Sequence, residues 1–138
     1  AALLALDAMI HTTKTIHMAE DYFANGGLTE GELITRICFE IPSKGTYLKH
    51  TRASSTDAVV GVLVSRFEER CRVAIVGSQR VAFLCPALEA ALGARFHQDV
   101  YERSHIPDDM FIHRDDASLD YQLNLVEVLC KKAIKGCA

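Results

Sequence analysis

Between residues 33 and 41 the apolar side chains Ile37, Phe39 and Ile41 recur at every second position, the period of a half-buried strand. Pro42 has no N–H to offer a ladder and ends the stretch. Ser43, Lys44 and Gly45 then turn the chain into a second extended segment over residues 46–51. Residues 58–67 contain Val59, Val60, Val62, Leu63 and Val64. Such a β-branched run suits a strand buried on both faces, and periodicity alone also admits a buried helix. The polar Glu68, Glu69 and Arg70 separate it from another β-branched run at 72–76. The two runs read as a hairpin, although its turn lacks an Asn-Gly or Asp-Gly pair.

The alphabet then changes. The segment from Pro86 to Gly93 has proline at a helix start and glycine just past its end. Residues 96–103 predict a second helix, stopped before Pro107. Leu119, Leu123, Val126, Leu129, Cys130 and Ala133 follow the spacing of an amphipathic helix. Ser118 is its expected N-cap, with Asp120 in the first turn. Lys131, Lys132 and Lys135 lie toward its C-terminus, where cations meet the negative end of the dipole, and Gly136 is the expected C-terminal cap. Upstream, Asn25, Gly26 and Gly27 mark the clearest seam. Before it, residues 3–13 and 15–23 are short pieces of ambiguous type, with one helical turn expected at 19–24. Strands followed by helices predict an α+β fold: a small antiparallel sheet of three or four strands over residues 32–77, with helices packed on one face.

Composition narrows the function more than the fold. The chain has 138 residues, 49 % hydrophobic and 24 % charged, ordinary values for one globular domain. Its net charge is −3 and its basic residues are scattered, so a nucleic-acid partner is not expected. No apolar run approaches the ~20 residues of a membrane span, and a soluble, cytoplasmic protein is expected. The five cysteines include no Cys-x-x-Cys pair, which argues for free thiols over a disulfide framework or an iron–sulfur site. His97, His105 and His113 with Asp108, Asp109, Asp115 and Asp116 are of metal-ligating types, but their spacing matches no metal motif. No Gly-x-Ser-x-Gly elbow supports a hydrolase.

A set of short motifs runs in order along nearly the whole chain. These are the stretch at residues 3–8, Asp21-Tyr22-Phe23, the Gly-Glu-Leu-Ile segment from Gly31 with Ile37, and Ile41-Pro42. Tyr47, Lys49 and Arg52 follow, then Asp57-Ala58, Glu89 with Leu92, and Ser118 with Tyr121. The order resembles the C-terminal domain of the FAD-binding medium subunit of molybdenum hydroxylases, the carbon monoxide dehydrogenase and xanthine dehydrogenase flavoprotein family. Gln122 and Leu123 depart from the two arginines usual after the last tyrosine, and no glycine-bearing turn joins Thr12 to Ile16.

The resemblance implies that residues 1–27 are a remnant of the preceding FAD-binding domain and linker, and residues 28–138 the C-terminal α+β domain. It also implies an N-terminal truncation, with the glycine-rich residues that grip the FAD pyrophosphate lying before Leu3. In the family this domain covers the isoalloxazine of a flavin that receives electrons from iron–sulfur clusters, in a complex with iron–sulfur and molybdenum subunits. Ile34 then aligns with an apolar residue near the ring and Lys49 with a lysine near its polar edge. On residues alone, Ile34 is an ordinary core residue, Lys49 a solvated lysine, Tyr47 a common strand aromatic, and Arg52 with Asp57 a loop pair. The expected function is a piece of an oxidoreductase that is not catalytic alone and binds FAD weakly or not at all. The alternative is a stand-alone ligand-binding or protein-interaction domain. Apolar surface around residues 1–10 and Ile34 is expected to be covered in a homodimer.

Overall fold

The structure is a computed structural model, and it describes residues 1–51, 58–77, 82–111 and 117–138. Arg52, Asp57, His113, Asp115 and Asp116 lie outside the described residues. Among the described residues, the helices are α1 (Ala2–Ala5), α2 (Ala19–Ala24), α3 (Pro86–Ala94) and α4 (Leu119–Gly136). The strands are β1 (Met9–Thr12), β2 (Ile16–Met18), β3 (Ile34–Cys38), β4 (Lys44–Thr51), β5 (Ala58–Arg66), β6 (Cys71–Val76) and β7 (Phe83–Leu84). They form a three-stranded sheet ordered β2-β1-β3 and a four-stranded sheet ordered β4-β5-β6-β7. The strand pairings within these two sheets are all antiparallel.

The α+β class is as expected, but residues 32–77 do not form one sheet. β3 pairs with β1, with Ile10 opposite Ile37 and Met9 opposite Cys38. β4 begins only beyond Pro42 and pairs with β5 along its length. The proline, unable to donate, separates two strands that join different ladders.

β5 is a strand because both of its faces are covered. Val60, Val62 and Val64 are fully buried on one side with Val73 and Ile75 of β6. Against them pack Leu88 and Leu92 of α3 and Val126, Cys130, Ala133 and Ile134 of α4. Each buried valine, leucine or isoleucine among them contributes about 1.5–3 kcal/mol of burial before the cost of ordering it. Leu63, Ala74 and Leu84 point the other way and meet Leu4, Ala5, Ala8, Ile10 and Ala19. The expectation of helices on one face therefore holds for α3 and α4, while α1 packs on the opposite face. It also corrects the expected exposed surface at residues 1–10: Leu4, Ala5, Ala8 and Ile10 are buried.

The helix expected over residues 96–103 is replaced by 3-10 turns at Gln98–Val100, Arg103–His105 and Asp108–Met110. Local side chains compete with helical bonding here. His97 Nδ1 accepts from Asp99 N, and His105 Nδ1 accepts from Glu102 N. Tyr101, Ile106 and Phe111 each close one turn and are buried. A spacing of five feeds one apolar side chain per turn into the core, a repeat that an α-helix of 3.6 residues per turn does not supply.

α4 starts as expected, with Ser118 Oγ accepting from Tyr121 N at 3.3 Å. Its end differs. The helix runs through Gly136, and the capping position falls to Cys137. A Cβ on Gly136 would stand 2.8 Å from Thr46 Oγ1, so this glycine lets the last turn close against β4.

Candidate functional site

Strand alternation divides β4 into two faces. Leu48 packs against the main core, and Thr46 and His50 take up contacts with α4, His50 Nε2 lying 3.1 Å from Tyr121 Oη. Tyr47 and Lys49 point the other way and are exposed. Lys49 is directly opposite Gly61 of β5, and Gly61 is opposite Val76 of β6. A Cβ added at Gly61 would stand 2.7 Å from Tyr47 Oη, so the phenol ring lies across the glycine. The result is an open wall with an aromatic face and an ammonium group beside it. Tyr47 is opposite Leu63, and Leu63 packs with α1, so the wall continues the sheet face that α1 covers farther along.

Ile34 belongs to the other sheet. The register shifts between His11 and Thr12, so Ile34 lies opposite Thr12 and shares its side with Ile10 and Ile37. Ile34 is 43 % exposed, unlike an ordinary core residue. Ile34 and Lys49 are thus both exposed, on different sheets.

Glu32 sets the approach to Ile34. Its side chain is buried, and its carboxylate is surrounded by donors. Thr12 Oγ1 donates to Oε1 in a short bond, while Thr29 N (3.0 Å) and Thr29 Oγ1 (2.7 Å) donate to Oε2. His17 Nε2 lies 3.2 Å from Oε1. These contacts, led by the Thr12 hydroxyl, lower the Glu32 pKa to about 2. The carboxylate pins the 28–33 loop to the β1–β2 hairpin immediately before Ile34. Sequence reasoning treated Glu32 only as a motif letter. The Thr29-x-x-Glu32 spacing was the available signal, since a carboxylate three residues on can reach back to the threonine N–H.

A second charged cluster ties the layers together. Arg70 donates to Asp7 at 3.1 Å and to Glu40 at 2.6 Å. Arg72 Nε lies 2.8 Å from Asp7 Oδ1, and Arg72 Nη1 donates to Glu89 at 3.0 Å. Glu89 also accepts from Val73 N at 2.9 Å. The corner after α1, the approach to β4, strand β6 and helix α3 meet in this cluster.

The candidate metal ligands that are described have local partners. His97 and His105 accept from neighbouring backbone N–H groups, and Asp108 pairs with Arg103. Among the described residues no group of three or more histidine, cysteine, aspartate or glutamate side chains is placed to hold a metal. All five cysteines are free thiols. Burial pushes Cys71 up to about 11 and Cys130 up to about 12, which keeps both protonated near neutral pH. Among the described residues no helix is long and apolar enough to cross a membrane.

No protein-family model matches the chain, and no curated protein matches it. A similar fold occurs in the crystal structure of quinoline 2-oxidoreductase from Pseudomonas putida 86, with a TM-score of 0.70 at 16 % identity. The match covers 99 % of this chain and 54 % of that one, so the chain spans about half the length of its structural neighbour. The likeness is one of fold: a chain with the α+β architecture of part of an oxidoreductase.

Proposed function

We propose that this chain is the C-terminal part of a flavoprotein subunit, in which the wall around Lys49 together with Ile34 covers the isoalloxazine of FAD. The observation that carries this reading is the fold shared with quinoline 2-oxidoreductase over 99 % of the chain. The ordered motifs from residues 3–8 to Tyr121 support it independently. In this reading residues 1–27 are the end of a flavin-gripping unit and residues 28–138 the covering domain. The natural partners are iron–sulfur and molybdenum subunits that feed electrons to the flavin, and the setting is cytoplasmic.

This reading asks Lys49 and Ile34, exposed on different sheets, to line one side of a flavin. Lys49 supplies an exposed cation that stabilises negative charge on the polar edge of a ring, and Ile34 supplies an apolar contact. The hydride and electron chemistry belongs to the flavin when it is bound. The chain's own residues orient the ring and exclude water from one side of it.

The wall by itself binds weakly. One apolar contact and one solvent-screened cation supply only about 2–4 kcal/mol. Against the cost of association this gives a dissociation constant in the millimolar range or weaker. Titration of FAD into the purified chain, followed by flavin fluorescence, tests the reading. Weak binding that Lys49→Ala weakens further is the expected result. Micromolar binding indifferent to Lys49→Ala would remove Lys49 from the site.

A further inference from the structure

Four of the five cysteines are buried, and the exception, Cys38, sits in the most exposed apolar stretch of the described chain. Leu33, Ile34, Ile37, Phe39 and Ile41 are all exposed within this stretch, Leu33 by 67 % and Ile41 by 83 %. Among the described residues β3 has β1 as its single neighbour, so its other edge turns backbone N–H and C=O groups away from the sheet. A long apolar edge of this kind is a template for another strand.

We propose that this edge is the docking surface for a second copy of the chain, β3 against β3, antiparallel about a two-fold axis at Cys38. The charges select the copy and the register. In a pairing centred on Arg36, the two guanidiniums would be directly opposite each other, which is destabilising. Centred on Ile37, Arg36 would face Cys38 and Glu40 would face Ile34, leaving each charge beside an uncharged side chain. Centred on Cys38, Arg36 of each copy faces Glu40 of the other, twice by symmetry. Ile37 then faces Phe39, Thr35 faces Ile41, and the cysteines meet at the axis. This register alone of the three pairs both charges, and it sets Ile37 against Phe39 across the seam.

The side chains are available for it. Arg36 is exposed, and its Nη2 has a 3.4 Å contact with His11 Nδ1. The Glu40 side chain is 55 % exposed while it accepts from Arg70. Pro42 marks where the added ladder stops. The dimer joins two three-stranded sheets into one continuous sheet and covers the outer edge of β3 in each copy.

Sedimentation of the intact chain under reducing conditions, over a concentration series, tests this. The wild type is expected to dimerise. Arg36→Glu alone and Glu40→Arg alone are each expected to remain monomeric, because each sets like charges opposite one another. An equimolar mixture of the two variants is expected to restore the dimer, since opposite charges then meet at both positions. Diamide, which takes up the two electrons and two protons of a thiol pair, is expected to cross-link the wild type but not Cys38→Ser. Circular dichroism checks folding. Should Glu40→Arg not fold, because Glu40 also holds Arg70, the decision rests on Arg36→Glu and on the Cys38 cross-link. A wild type that is monomeric throughout, a dimer that survives Arg36→Glu, or a mixture of folded variants that stays monomeric would each overturn the proposal.

Discussion

Glu32 shows how one carboxylate can hold a site without taking part in it. Its charged form accepts from Thr12 and twice from Thr29, with His17 beside it, and its pKa is lowered to about 2. A lowered folded-state pKa contributes stability that is complete above the ordinary carboxylate range. That stability is lost as pH falls through this range toward the folded value. Urea unfolding midpoints of the wild type are therefore expected to drop between about pH 5 and about pH 2, and Glu32→Gln to drop less over that window. Identical pH profiles for the two proteins would show that the contacts around Glu32 do not favour its charged form. The residue scale is also where sequence reading reached least far. Gly136 was legible as a helix terminator, yet what matters is its missing Cβ beside Thr46, a contact between residues 90 positions apart. Lys49 was legible as an exposed strand lysine, but the phenol of Tyr47 lying over Gly61 beside it needed the pairing of β4 with β5.

At the scale of elements, legibility followed the strength of the local pattern. α4 was readable because apolar period and N-cap agree, and the Ser118 cap forms as read. The β5–β6 hairpin was readable from its β-branched runs despite an unmarked turn. The segment from residue 96 to 111 misled because its apolar residues are real core residues with a spacing of five, carried by turns instead of a helix. β7 was missed because two residues carry no periodicity. Its place beside β6 is fixed by tertiary pairing, with Phe83 opposite Ile75. The contact between α3 and β6 leads to a prediction of its own. Glu89 accepts from both Arg72 and Val73 N, and its side chain is only 9 % exposed. Glu89→Ala leaves a backbone N–H and a partly buried guanidinium without that acceptor, at a cost of about 2–3 kcal/mol. Glu89→Gln keeps an oxygen for Val73 N and is expected to cost less. Denaturant unfolding measures both, and equal losses would mean that the charge, not the acceptor, is what β6 requires.

At the scale of the whole molecule, the described residues form two cores of unequal size that share the four-stranded sheet. The larger holds the valines of β5 and β6 with α3, α4 and the buried residues that close the 3-10 turns. The smaller is mostly alanine, with Leu4 and Ile10 as its large buried members, and it seats α1 and the three-stranded sheet. Less apolar area is buried there. β3 is exposed along most of its length; the Glu32 contacts stay within this unit, while the Asp7 pairs with Arg70 and Arg72 tie it to β6 and the turn before it. Cooperative units with less burial open first. Native-state hydrogen exchange, measured at protein concentrations where sedimentation shows monomer, is therefore expected to give two classes of amide. Those of Val62, Val64, Val126 and Cys130 should exchange only with global unfolding. Those of Ile10, His11 and Ile37 should exchange through a smaller opening that releases the three-stranded sheet while the larger core stays intact. Asp7→Ala removes the partner shared by Arg70 and Arg72, and should speed exchange in the second class alone. If Asp7→Ala accelerates both classes equally, the two cores unfold as one unit. The separation read from their packing would then have no counterpart in the molecule's motions.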